Sequence, residues 1–306
     1  MRVLGGFVVA LVAVVLVGGG LGVALAGDAT RVAPVLDRIL AKKELVVGTA
    51  ADMPPLNMTL KDGKIVGMEV DIATMMANSI EVKLTLKPMR FNDLLQALEA
   101  GQVDAILSGM TMTPQRNTQV AFAGPYFGSG KSVLIKQEKM SLLQNTEMMN
   151  KPEVTVAALK GSTSQRFVER FAPKAKLVTT DDYDQAIAMV LEDKVLAMIA
   201  DFPICNVSVF RYRDKGLTTL KTPLNYEPLG IAVSPGDPLF LNWMQNFVTY
   251  LINSGELSLL RQKWFEDASW VPQLLPPACA GPLHTVDVAG IGPDGPNAVE
   301  NPTFVG

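Results

Sequence analysis

A chain of 306 residues is long for one core and comfortable for two lobes. Charged residues make up 19% and the net charge is −3, which leaves no electrostatic footprint for nucleic acid. With one histidine (His284) and two cysteines (Cys205 and Cys279), metal sites and Ser-His or Cys-His nucleophile pairs lack their usual partners. No metal, no cofactor and no catalytic residue is therefore expected.

Residues 1–26 read as a signal peptide. Val3–Ala26 is uncharged behind Arg2, and Ala24-Leu25-Ala26 offers small residues for cleavage. The run is also long enough to cross a bilayer, so a retained anchor is the alternative. Either reading exports the body, and export permits a Cys205–Cys279 disulfide; two unrelated thiols are the other reading. Residues 27–43 read as a polar linker. Glu44–Thr49 follows as a buried strand, Gly67–Ile80 as a helix with Met68, Ile72, Met75, Met76 and Ile80 at helical spacing, and Val82–Pro88 as a strand. Phe91–Ala100 reads as a short helix closed by Gly101, and Val103–Leu107 as a strand. Gly124–Phe127 breaks the pattern, and Ser132–Lys136 reads as a strand crossing elsewhere.

A second alternation then begins: strand Val154–Leu159, a helix through Arg170, strand Lys176–Thr179, helix Tyr183–Glu192 and strand Leu196–Ala200. Pro223–Pro228 breaks the pattern again before the strand Leu229–Val233. A helical pair over Asn242–Phe265 splits near Ser254-Gly255. Strands alternating with helices imply α/β lobes with mostly parallel sheets. Two crossings divide the body into lobe one (44–128 plus 226–270) and lobe two (129–225). Residues 271–306 hold seven prolines and five glycines without periodicity, and read as a disordered tail.

Three stretches carry chemistry. In Asp104–Arg116 (DAILSGMTMTPQR) an apolar strand ends in small hydroxyl residues and one arginine, whose planar fork can hold a carboxylate; a plain strand with a surface arginine is the bland reading. Gly161-Ser162-Thr163-Ser164 stands between strand and helix, where free amides attract an anion or simply form a cap. Asp201 ends its strand, facing the crevice where open α/β sheets bind ligands, although locally an N-cap role is the commoner one. Gly128–Ser132 (GSGKS) imitates a phosphate loop, but Pro125 replaces the required first glycine, so nucleotide binding is rejected.

Taken together, ELVVGTAADMPPLNM, GMEVDIATMMA, FNDLLQALEAGQVDAILSGMTMTPQR, FAGPYF, LKGSTSQ, MIADFPI and PLGIAVSPGDPLFLNWMQNF with SGELSLLRQKWF resemble, in order and spacing, the family 3 solute-binding proteins of amino-acid ABC transporters over about residues 44–270. The resemblance implies a two-lobed periplasmic-binding-protein fold with a ligand cleft between the lobes. It implies a monomeric periplasmic receptor with no enzymatic activity, whose partners are a free amino acid and an ABC permease. By the same resemblance Arg116 binds the α-carboxylate with help from Thr111, Ser108 and Gly109 lie beside the α-amino group, and Asp201 takes the ammonium. Thr163 and Ser162 contribute from lobe two, and Phe91 covers the carbon chain. Ala50 stands where the family usually has an acid. Met53 and Leu56 replace aromatics, and Gly109 replaces a frequent hydroxyl residue. These departures imply a softer pocket and a ligand with an uncharged side chain, an expectation that Asp52 or Glu69 near the cleft could reverse. Two alternatives share the fold: a cyclohexadienyl dehydratase-like enzyme with Asp52 or Glu69 as acid, and a membrane-anchored ligand sensor.

Overall fold

The computed structural model describes residues 32–143 and 146–274. Within the segment expected as a linker lies a helix, α1 (Pro34–Lys42), which buries Leu36 and Ile39. Nine residues with two inward positions are too few for a period to stand out in sequence. The first free amides of α1, at Val35 and Leu36, are taken by Asp237 Oδ2 at 2.9 Å each, and Asp237 Oδ1 accepts the Phe240 amide at 2.8 Å. One buried carboxylate thus caps both α1 and α8 (Pro238–Asn253), and each such cap stabilises by about 0.5–2 kcal/mol.

Two five-stranded sheets follow one plan. The first has the order β5 (Lys83–Pro88), β1 (Glu44–Thr49), β6 (Ala105–Ile106), β13 (Glu227–Val233), β7 (Ala121–Ser129). The second has the order β10 (Lys176–Thr180), β9 (Thr155–Leu159), β11 (Ala197–Asp201), β8 (Lys131–Lys136), β12 (Leu217–Thr218). In each, the first three strands are parallel and the last two join antiparallel. A small antiparallel sheet of β2 (Asp52–Met53), β3 (Asn57–Thr59) and β4 (Ile65–Val66) follows β1. Central strands such as β9 and β11 are buried along nearly their whole length, as strands covered on both faces must be. The cover is supplied by α2 (Met68–Ser79), α3 (Leu94–Glu99), α8 and α9 (Glu256–Arg261) in the first lobe. In the second, the short α4 (Thr146–Met149) follows β8, and α5 (Thr163–Phe171), α6 (Tyr183–Leu191) and α7 (Phe202–Arg211) pack on the sheet. Met68, Ile72 and Met76 of α2 are fully buried, each contributing about 1.5–3 kcal/mol.

The Gly-Pro step at Gly124, expected as a break, lies inside β7, which continues to Ser129; its pairing with β13 shifts register between Leu229 and Ile231 to accommodate it. β13 likewise starts at Glu227 rather than Leu229. The chain therefore passes between lobes at Gly130 and again over residues 219–226. These crossings touch: a Cβ on Gly130 would lie 1.9 Å from the Asn225 carbonyl oxygen and 2.7 Å from Pro223 Cβ, so only glycine fits. At the C-terminal end the first residues of the expected tail are packed, with Val271 and Leu274 buried beside Trp270. Residues 1–26, Cys279, His284 and the remaining tail lie outside the described residues. Cys205 is buried in α7, and burial pushes its thiol up to about 12. No helix among the described residues is long and apolar enough to cross a membrane.

Candidate functional site

Arg116 opens a 3-10 turn after β6 and is 2% exposed. Its guanidinium carbon lies 5.5 Å from the centre of the Phe91 ring, a stacking contact that a planar cation favours. One terminal nitrogen donates to the Thr111 carbonyl at 3.0 Å, the other to the Gly161 carbonyl of the opposite lobe at 3.2 Å. Nε is buried without a hydrogen-bond partner, and among the described residues no carboxylate lies within ion-pair distance of this cation. Burial, with Arg166 adding to it, lowers its pKa to about 10 against the opposing pull of Glu227 and Asp201. It remains charged at neutral pH.

Thr111 reaches the same floor from lobe one, fixed by a bridge to Leu229. Its hydroxyl donates to Glu227 Oε2 at 2.9 Å; Thr163, the first residue of α5, donates to that same oxygen at 2.7 Å from lobe two. Ser162 is the cap of α5: its Oγ accepts the Gln165 amide at 3.1 Å and donates to the Leu159 carbonyl at 2.6 Å. Asp201 occupies the N-cap position of α7 but makes no capping bond. Its carboxylate instead accepts from Lys131 Nζ at 2.8 Å, and that ammonium also meets Glu227 Oε2 at 2.9 Å. Ser129 Oγ lies 3.4 Å from the same Asp201 oxygen. Burial raises the Asp201 pKa, with Lys131 opposing. For Glu227 burial also pushes upward, but Lys131 and the donors Thr163 and Thr111 prevail and hold it below the usual carboxylate range. The less enclosed of the two acids carries its negative charge more readily.

The other expected residues are held by internal contacts. Ser108 accepts the Ala50 amide at 2.8 Å, with Met53 Sδ 3.9 Å away. Gly109, at φ +57°, gives its amide to Glu69 Oε1 at 2.7 Å. Glu69 is also held by Asn57 and Tyr126; burial raises its pKa. Asp52 lies where the lobes meet. Its Oδ2 accepts the Tyr183 amide of α6 at 3.2 Å, Oδ1 is buried without a partner, and desolvation moves its pKa up to about 6.

The structure thus links Arg116, Phe91, Thr111, Thr163 and Asp201 through Glu227 and Lys131, sets Ser108, Gly109 and Met53 against Ala50 and Glu69, makes Ser162 the cap of α5, and puts Asp52 where the lobes meet. Lys131, Glu227 and Asn225 were not foreseen. Asn225 links the two crossings, accepting the Lys131 amide at 2.7 Å and donating to Glu227 Oε1 at 3.2 Å. The signal was Lys131 itself, a charge opening the otherwise buried run of β8. Among the described residues no cluster of His, Cys, Asp or Glu is arranged to hold a metal.

Residues 45–267 match the family model of bacterial extracellular solute-binding proteins, family 3. The glutamine-binding protein GlnH of Bacillus subtilis is 29% identical over 210 residues, 67% of this chain and 74% of that protein. The cyclohexadienyl dehydratase of Pseudomonas aeruginosa is 23% identical over 231 residues, 76% of this chain and 86% of the enzyme. Among solved structures, a binding component of an ABC transporter from Wolinella succinogenes, complexed with lysine, superposes with a TM-score of 0.72 at 34% identity, covering 76% of this chain and 99% of that one.

Proposed function

Because the chain belongs to the bacterial extracellular solute-binding proteins of family 3, we propose that it captures a free amino acid in the periplasm and delivers it, as a monomer, to an ABC permease. The carrying observation is the Arg116 guanidinium, buried under Phe91, bonded to the Gly161 carbonyl of the opposite lobe, and without a carboxylate partner among the described residues. A buried cation with a donor unused is costly unless an anion completes it. The α-carboxylate of the ligand docks there and meets the Thr111 and Thr163 hydroxyls, its ammonium joins Asp201, and Phe91 covers its carbon chain. The two lobes close on it by hinging at the two crossings. The ligand stabilises the closed state by binding it better than the open one. Residues 1–26 direct export.

A thermal-shift screen of the common amino acids tests this reading, since a ligand that binds only the native state raises Tm by mass action. At least one should raise the Tm of the native chain and fail to do so with Arg116→Ala; no shift from any amino acid overturns it. The dehydratase relative supports one rival reading, an enzyme acting on prephenate or arogenate. Against it, Glu69 is enclosed by Asn57, Tyr126 and Gly109, and Asp52 is turned onto the Tyr183 amide. Aromatic product formed from either substrate would establish the enzyme.

A further inference from the structure

Resting on the amino-acid reading above, we infer that Lys131 and Glu227 set the charge selectivity of the cleft, making it a site for amino acids of zero net charge. Four ionic groups converge there: Arg116 and Lys131 against Asp201 and Glu227. Lys131 has no exposed side-chain surface and bridges both acids, at 2.8 and 2.9 Å. These four charges sum to zero and have little exposed surface; Asp52, at the margin, stands outside the set. A zwitterion adds one charge of each sign and leaves that balance intact. A ligand with a cationic or anionic side chain adds one uncompensated charge, and a buried unpaired charge is strongly disfavoured.

Asp201 and Glu227 already share the Lys131 ammonium, and Asp201 also takes the ligand's α-ammonium, so neither is left for a cationic side chain. Glu69 is bonded to Asn57, Tyr126 and Gly109. Asp52 is the remaining acid at the margin. One of its oxygens is used by Tyr183, and two like charges act on it, Asp182, which caps α6, and Asp184 in its first turn. The cations there are committed as well: Arg90 pairs with Asp181 at 3.2 Å and Arg211 with Asp184 at 2.8 Å. On the other side Arg166 adds positive potential at Arg116, which further disfavours a cationic side chain.

Lys131 and Glu227 open the strands that leave the two crossings. They act through the groups assigned to the ligand's poles, since Lys131 pairs with Asp201 and Glu227 accepts from Thr111 and Thr163. Removing Lys131 leaves two acids against one guanidinium and converts the cleft into a cation-seeking one. Neutralising Glu227 does the reverse. Neutralising both restores zero.

Isothermal titration of the full chain with glutamine, lysine and glutamate tests the assignment. The native protein should bind glutamine at least tenfold tighter than lysine or glutamate. Lys131→Met should shift the lysine-to-glutamine ratio at least tenfold toward lysine, Glu227→Gln should shift the glutamate-to-glutamine ratio as far toward glutamate, and the double variant should return preference to glutamine. Should Lys131→Met fail to fold, Glu227→Gln, which keeps the Lys131–Asp201 pair, carries the test. Native preference for lysine, lost in Asp52→Asn, overturns the inference and assigns the cation to Asp52. Unchanged ratios in folded variants also overturn it while leaving the amino-acid reading intact, provided that Arg116→Ala abolishes binding. A native chain that binds none of the tested amino acids overturns both.

Discussion

The two ends of the cleft are built in opposite ways. At one end Arg116 is buried with backbone carbonyls and a ring for company, Nε unpartnered and, among the described residues, no carboxylate within ion-pair distance. At the other, Asp201 is equally enclosed but held by Lys131, which Glu227 anchors in turn. The first end has unspent hydrogen-bonding capacity, and the second has its charge matched inside the protein. A group of the first kind contributes mainly when a ligand arrives. A group of the second kind contributes to the fold whether or not one is present.

That contrast is open to attack at either end. Lys131→Ala should have the largest effect on stability, about 3–5 kcal/mol, because it strands two buried carboxylates. For a body of this size that lowers Tm by on the order of 10 °C, readable by calorimetry. Arg116→Ala should cost about 2–5 kcal/mol of ligand affinity while lowering the ligand-free Tm much less than Lys131→Ala does. Comparable losses of Tm in the two variants would erase the distinction between the ends.

The difference between the ends also explains what could be read in advance. Asp201 ends the apolar strand β11, Thr111 and Arg116 stand in the segment after β6, and polar groups so placed announce themselves by local sequence. The repeated alternation, with its two interruptions, was likewise legible as two lobes. Lys131 and Glu227 were not, because their meaning arises only when two distant crossings are laid side by side at Gly130 and Asn225. Lys131 lies inside GSGKS, a run that imitates a phosphate loop and so points to the wrong chemistry. Asp201 looked locally like a helix cap; position alone could not show that its side chain turns away from the helix to an ammonium. Helix α1 was hidden for a simpler reason, since its burial depends on a carboxylate contributed by Asp237 far along the chain.

Smaller effects sharpen the picture of how the lobes are joined. Thr163→Val keeps shape and removes one hydroxyl from Glu227 Oε2. A hydrogen bond to a charged group is worth about 1.5–3 kcal/mol, and the low end is expected because Thr111 still donates to the same oxygen. In a double-mutant cycle with Thr111→Val, the two changes together should cost more than the sum of the singles, read by urea unfolding. Strict additivity would mean that the hydroxyls do not back each other up.

Asp52→Asn should produce the smallest change, and its pH dependence identifies it. Burial raises this carboxyl from an ordinary 3.8 to about 6, so the folded chain binds the proton more tightly than the unfolded one. Below about pH 4 both states are protonated and the group costs nothing. As pH rises from about 4 to 6 the unfolded state ionises first, and stability falls. Above about 6 the loss is complete, at about 1 kcal/mol once solvent screening at a part-exposed site is allowed for. Asparagine keeps an acceptor for the Tyr183 amide and cannot ionise. The variant should therefore match the native chain at pH 4 and exceed it at pH 7, with a flatter unfolding free energy between. A native chain that gains stability from this residue as pH rises through that window would mean that its carboxylate is paired by a cation where the lobes meet, the opposite of the desolvated acid described here.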